Sequence, residues 1–284
     1  MADAAGKPEI LLTGLSFPEA PRWRDGKLWF SDFYTHRVMT VDLKGHAETV
    51  VEVPQRPSGL GWLPDGTLLV VSMLDRQVMR LEGGRLRVYA DLSNIASGPC
   101  NDMVVDARGR AYVGNFGFDR HGGESERPAT LARIDPDGRI VPAVEDVLFP
   151  NGTVITPDGK TLILAESLGH RLTAFDIAAD GGLGRRRVWA ELAGYFPDGI
   201  CLDADGAVWV ADARGKRVIR VFEGGRVDRT ISTGEQGTYA CILGGPDRRT
   251  LFICTSSGSG PAMANKRDGR IEIVTVDRPG AGLP

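Results

Sequence analysis

Three stretches of the chain follow a Phe-Pro pair with an oxygen donor: Phe17-Pro18-Glu19, Phe149-Pro150-Asn151 and Phe196-Pro197-Asp198. Carboxylate and amide oxygens suit hard divalent cations, which collect oxygen ligands from separate segments. Each proline fixes φ and withholds a backbone N–H just before an apolar run of strand type, so the donor behind it is held rigidly. Three donors at one place in three distant segments are expected to meet. Some repeated architecture must bring them together.

That repeat is legible. A turn followed by an apolar run recurs six times, beginning at Arg24, Pro64, Ala107, Pro157, Ala204 and Pro246. The turn glycines fall at 26, 66, 109, 159 and 206, and Arg248 stands where the sixth would be. Asp-Gly between apolar runs predicts hairpins, and type I′ turns are expected here. Each repeat adds a second hairpin, as in Gln77–Leu81 followed by Arg85–Tyr89. Four short strands of period two in each repeat predict an all-β fold, a six-bladed β-propeller with four-stranded antiparallel blades. The blades are expected at about 20–54, 55–95, 96–145, 146–192, 193–233 and 234–277, making residues 1–284 a single propeller domain. The last repeat lacks a fourth strand, and residues 9–15 have strand character. This N-terminal strand is expected to close the ring as the outer strand of the last blade, removing a free sheet edge.

Counting back from the turns aligns Glu19, Ser58, Asn101, Asn151, Asp198 and Tyr239 at the start of the six inner strands. In a propeller these positions ring the axis. Two acids and two amides gathered there would repel or stay unsatisfied, and one divalent metal ion would balance them. Calcium is the first expectation, with magnesium, manganese or zinc as alternatives; no histidine belongs to the ring. The plainer reading is a water-filled channel lined with polar groups.

Composition narrows the partners. The net charge is −3, so no basic field is available for nucleic acid or an anionic membrane surface. No apolar run approaches a membrane span. No signal-peptide pattern opens the chain, which predicts a cytoplasmic protein whose four cysteines, Cys100, Cys201, Cys241 and Cys254, are reduced, buried small hydrophobes.

Taken together, Pro18-Glu19-Ala20-Pro21-Arg22-Trp23, Asn101-Asp102-Met103-Val104-Val105-Asp106, Pro150-Asn151-Gly152 and Pro197-Asp198-Gly199 make nearly the whole chain resemble the SMP-30/gluconolactonase/regucalcin-like family of six-bladed propellers. The resemblance implies a metal-dependent hydrolase that opens a lactone, with Glu19, Asn151 and Asp198 as metal ligands. It implies that Asn101 contacts substrate or a water on the metal and that Asp198 is also the general base. Ser58, Asn101, Phe116 and Tyr239 are expected to face a small-molecule lactone or ester. One position departs from the family. Sugar lactonases usually carry an arginine two residues before the motif asparagine, and here that residue is Pro99. With Phe17, Phe116, Phe118, Phe149, Phe196 and Tyr239 nearby, a greasier pocket is expected. The same site would also suit organophosphate or other ester hydrolysis, and a calcium-binding propeller without turnover is the non-enzymatic alternative.

Asp32, Ser72, Asn115, Glu166, Asp212 and Thr255 end the second strands and are expected to bond turns and neighbouring blades; Asn115 or Glu166 could also support the metal ligands. His36 and His170 recur at equivalent turns, which predicts surface roles. Loops 117–130 and 256–268 are long for hairpin connections and are expected on the metal face as lids.

Overall fold

The computed structural model describes residues 6–284. Six antiparallel sheets form a ring. Each inner strand touches the inner strands of both neighbours, so that Pro18–Arg24 lies against Pro57–Trp62 on one side and Gly237–Gly244 on the other. The remaining inner strands are Cys100–Val105, Pro150–Ile155 and Pro197–Asp203. The first blade runs outward through Lys27–Asp32 and Arg37–Val41 to Ala47–Glu52. Burial falls along that path: Pro18–Trp23 is mostly buried, whereas the outermost strand is largely exposed and carries charge. This is a six-bladed β-propeller with almost no helix; among the described residues there is only a 3₁₀ turn at Phe33–Thr35 and a helical turn at Met263–Lys266.

The ring closes as expected. Glu9–Leu15 pairs with Gly269–Thr275, the third strand of the last blade, with Glu9 opposite Ile273 and Leu15 opposite Gly269. Packing reinforces the seam. Trp23 stacks on Phe252 with ring centroids 5.2 Å apart, and Gly244 makes room for it, since a Cβ there would lie 2.6 Å from the indole. Between blades the core is apolar; Phe30, Tyr112, Phe175, Trp209 and Phe252 are among its largest fully buried side chains. Burying one such side chain contributes about 1.5–3 kcal/mol.

Two features differ from expectation. Only the first turn has both central residues in the left-handed region, Asp25 at φ 52° and Gly26 at φ 75°. In the next four the glycine alone is left-handed and its N–H donates three residues back, as from Gly66 to the Leu63 carbonyl at 2.9 Å. These are three-residue loops built on type I turns, for which Pro64 and Pro157 preset φ. The sixth copy forces Arg248 to φ 57° in place of glycine. The chain also continues past the last blade. Gly280–Ala281 pairs with the inner strand of the fifth blade, and Leu283 exchanges backbone hydrogen bonds of 2.8 and 2.9 Å with Ile155 of the fourth. The tail thus uses inner-strand edges at the end of the channel opposite Asn151 and Asp198.

Every inner strand carries a register shift at its ring residue. In the second blade Pro57 pairs with Ser72 and Leu60 with Val70, so Ser58 and Gly59 together oppose one residue. The same two-against-one count holds at Asn101, Asn151 and Asp198. Such bulges bend the strand and re-aim a side chain. They also bring neighbouring inner strands very close. A Cβ on Gly152 would sit 2.5 Å from the Ile200 nitrogen, and one on Gly199 2.5 Å from the Ala240 Cβ. The glycines after Asn151 and Asp198 are therefore packing requirements, whereas Asn101 is followed by Asp102.

Candidate active site

The bulges turn Glu19, Asn101, Asn151, Asp198 and Tyr239 into one pocket of about 220 Å³ at the axis. Ser58 occupies the sixth ring position but lies outside the lining. It is 1% exposed, its carbonyl accepts from Ser31 Oγ at 2.6 Å, and its own Oγ donates to Asn101 Oδ1 at 3.4 Å. Ser58, expected to face substrate, here touches Asn101, because a small hydroxyl on a buried strand does not extend past its neighbour.

Glu19 and Asp198 are the acids of the floor. Burial pushes Glu19 well above the usual carboxylate range, and the charge of Asp198 pushes it further. Asp198 is likewise raised by burial, against the pull of Arg120 and a hydrogen bond from the Asn151 amide. Neither acid forms an ion pair among the described residues. Asn151 also donates from Nδ2 to Ser167 Oγ at 3.2 Å, and Ser167 Oγ in turn donates to the Pro197 carbonyl at 2.6 Å. Asn151 Oδ1, a carbonyl oxygen, is left as an acceptor. Ser167 was missed in the sequence; it stands one residue beyond a second strand and carries no motif.

The donor set fits a hard cation. It offers two carboxylates and an amide oxygen, Glu19 is buried and Asp198 half-buried with no ion pair to either among the described residues, and like charges at such a place are costly unless balanced. Among the described residues no three His, Cys, Asp or Glu side chains cluster as a metal site, so an ion here depends on Asn151 as its third protein donor.

Beneath the floor the channel is filled by Arg22. It donates to Asp102 Oδ1 at 2.6 Å and to the carbonyls of Leu60, Pro21 and Met103 at 3.0, 2.9 and 2.8 Å. The side chain joins the first three blades and is 4% exposed.

The polar residues that end the second strands hold the walls. Asp32 Oδ1 accepts from the Phe17 N–H at 2.8 Å and Asp212 Oδ1 from that of Phe196 at 3.0 Å, which fixes two of the Phe-Pro elbows. Glu166 accepts from the Leu148 N–H and pairs with Arg171; it does not touch a ring donor, a role that Ser167 takes instead. Phe17 meets Tyr239 edge-on at 4.7 Å, and Phe116 stacks on Phe149 at 4.5 Å. All six aromatics expected at the pocket line it. Burial, with the nearby acids, pushes the Tyr239 hydroxyl up to about 12, so it stays protonated as a donor.

The expectation of a greasy pocket is only half of what is found. Arg56, Arg120 and Arg214 also line it. Arg56 is the counterpart of Phe17 in the second blade, since Arg56-Pro57-Ser58 repeats the Xaa-Pro-donor pattern, and that was its signal in the sequence. Arg214 lies two residues past a second strand. Arg120, His121 and Glu126 come from loop 117–130, and Ser259, whose carbonyl accepts from Tyr34 Oη at 2.7 Å, comes from loop 256–268. His170 braces Phe196 edge-on at 4.5 Å and stays out of the lining, as does His36. The four cysteines are buried and free.

Fold and pocket together define an axial-site six-bladed propeller with an oxygen-donor floor. Residues 17–257 match the SMP-30/gluconolactonase/LRE-like region. The chain belongs to this family. It is 28% identical over 280 residues to a 6-deoxy-6-sulfogluconolactonase of Pseudomonas putida, covering 94% of this chain and 93% of the relative. It is 26% identical over 290 residues to a pentonolactonase of Haloferax volcanii, covering 95% of each. Among solved structures, a calcium-binding regucalcin of Agrobacterium tumefaciens superposes with a TM-score of 0.82 at 20% identity, over 99% of this chain and 97% of that one. No helix among the described residues is long and apolar enough to cross a membrane.

Proposed function

We propose that the chain is a metal-dependent lactonase, an enzyme that opens a cyclic ester in the axial pocket. Two relatives that align over nearly its whole length are lactonases, which supports lactone hydrolysis in general. The observation that carries the metal-dependent form is the pair of acids without an ion-pair partner, buried Glu19 and half-buried Asp198, beside the amide oxygen of Asn151 in one pocket. These three residues would hold one divalent cation, calcium first, in keeping with the calcium-binding regucalcin of the same fold. When bound, that ion supplies Lewis-acid polarisation of the ester carbonyl and charge balance for the floor.

The remaining work falls to the chain. Asp198 accepts the proton of the attacking water at a carboxylate oxygen and returns it to the departing ring oxygen. Asn101, held by Ser58 and by the Pro150 carbonyl at 3.3 Å, orients substrate or water. The Tyr239 hydroxyl donates to substrate oxygens. Phe116, Phe149 and Phe17 exclude bulk water, which strengthens each polar contact within.

A pH-drift assay over a panel of lactones, with and without a chelator, tests this. Turnover that is lost on chelation and restored by calcium is expected. No turnover of any lactone, with calcium still bound, would leave a binding propeller; faster turnover of a phosphotriester would move the chemistry to organophosphates.

A further inference from the structure

The rim of the pocket carries positive charge that lactone opening does not require. Arg56 enters from the turn before the second blade, Arg120 from loop 117–130 and Arg214 from the fifth blade. None of the three forms an ion pair among the described residues, although most other arginines of this chain do. Glu126 is the one acid of the outer lining, so the rim keeps a net positive charge while the floor is negative. Two of the guanidiniums are braced on aromatic walls: Arg56 lies over Tyr34 at 4.7 Å and Arg214 over Phe196 at 3.9 Å. Arg56 sits at φ 72°, an uncommon conformation for a non-glycine residue, and its Nε is buried with no hydrogen-bond partner. Arg120 lines the same pocket as Asp198, which places that charge beside the chemistry.

A planar guanidinium fork is matched by carboxylate, sulfonate or phosphate oxygens; Arg120 and Arg214 present theirs exposed at the rim, and Arg56 is half-buried. Building on the lactonase reading, we propose that the substrate is a lactone bearing an anionic substituent, held at the rim by Arg56, Arg120 and Arg214, with its ester directed to the floor. Charge-assisted contacts at the rim fix the orientation of such a substrate, and a neutral lactone would lack this constraint.

The test compares hydrolysis of three lactones of one ring size on the calcium-loaded protein: neutral, carboxylate-bearing and phosphate-bearing. It is run with wild type, Arg120→Gln and Arg214→Gln. The ratio of kcat/KM for either anionic lactone to that for the neutral one is expected to exceed unity and to fall about tenfold in each variant, the effect of one lost charge-assisted hydrogen bond. Which anion gives the larger ratio identifies the substituent. Wild type that prefers the neutral lactone, or variants with an unchanged ratio, would overturn the proposal while leaving the lactonase reading intact. If no lactone is opened, calorimetry decides. An open-chain six-carbon sugar diacid should bind at least tenfold tighter than the monoacid, with the margin lost in the Arg120→Gln/Arg214→Gln double variant; equal binding would overturn the anion site.

Discussion

Glu19 and Asp198 belong to the first and fifth blades, yet the charge of one raises the proton affinity of the other across the axial pocket. Their folded pKa values lie above those of a free carboxylate, so the folded state binds these protons more tightly than the unfolded chain. That contribution to stability is complete below about pH 4 and is lost as pH rises through the folded values. In divalent-free buffer, wild type should therefore lose stability between acid and neutral pH more steeply than the Glu19→Gln/Asp198→Asn double variant. Denaturant titrations across that range check this. Saturating calcium should remove the difference, and matching profiles in chelator would refute the coupling.

Asp198→Asn is expected to lower kcat for lactone opening by about 10²–10⁴, the usual worth of a general base. Glu19→Gln should weaken calcium binding and recover activity as calcium is raised. Steady-state kinetics over a calcium series separates the two, since added calcium does not restore the lost base.

Ser167 ties Asn151 to the next blade through the Pro197 carbonyl. Ser167→Ala should lower calcium affinity by about 10–100-fold, as loss of an orienting partner does, with the fold retained. Calorimetric titration of calcium measures it, and an unchanged affinity would show that Asn151 needs no such support.

Arg22 and Asp102 form a buried ion pair beneath the site. Arg22→Met leaves a buried carboxylate without its partner and should cost about 3–5 kcal/mol of stability. The Arg22→Met/Asp102→Leu double variant should regain much of that. Denaturant unfolding of both variants gives the answer; additive losses would count against the pairing.

The blade count, the closing strand and the register of the ring were legible because Asp-Gly turns and alternating runs recur at nearly constant spacing. Counting back from a turn reaches Asn151 and Asp198 as surely as any structure does. The bulges were not legible, since a local two-against-one pairing leaves no mark beyond the glycines at 59, 152 and 199. Ser58 shows the consequence: equivalence of position does not give equivalence of reach. The rim arginines escaped for another reason. Pro99 stands where the family resemblance leads to the expectation of an arginine, and Arg56-Pro57 carries a guanidinium on the elbow that bears phenylalanine in three other blades. Arg120 depends on how a long loop folds back, which no periodicity encodes.

The pairing of Glu9–Leu15 with Gly269–Thr275 joins two segments far apart in the chain. Contacts this distant in sequence are slow to form, because loop-closure entropy must be met before they return any stability. During synthesis the earliest strand must wait without a partner until the last blade has emerged. The six sheets can assemble one after another, but the ring locks only afterwards. The closing strand is therefore a checkpoint on folding, set apart in time from the blades it joins.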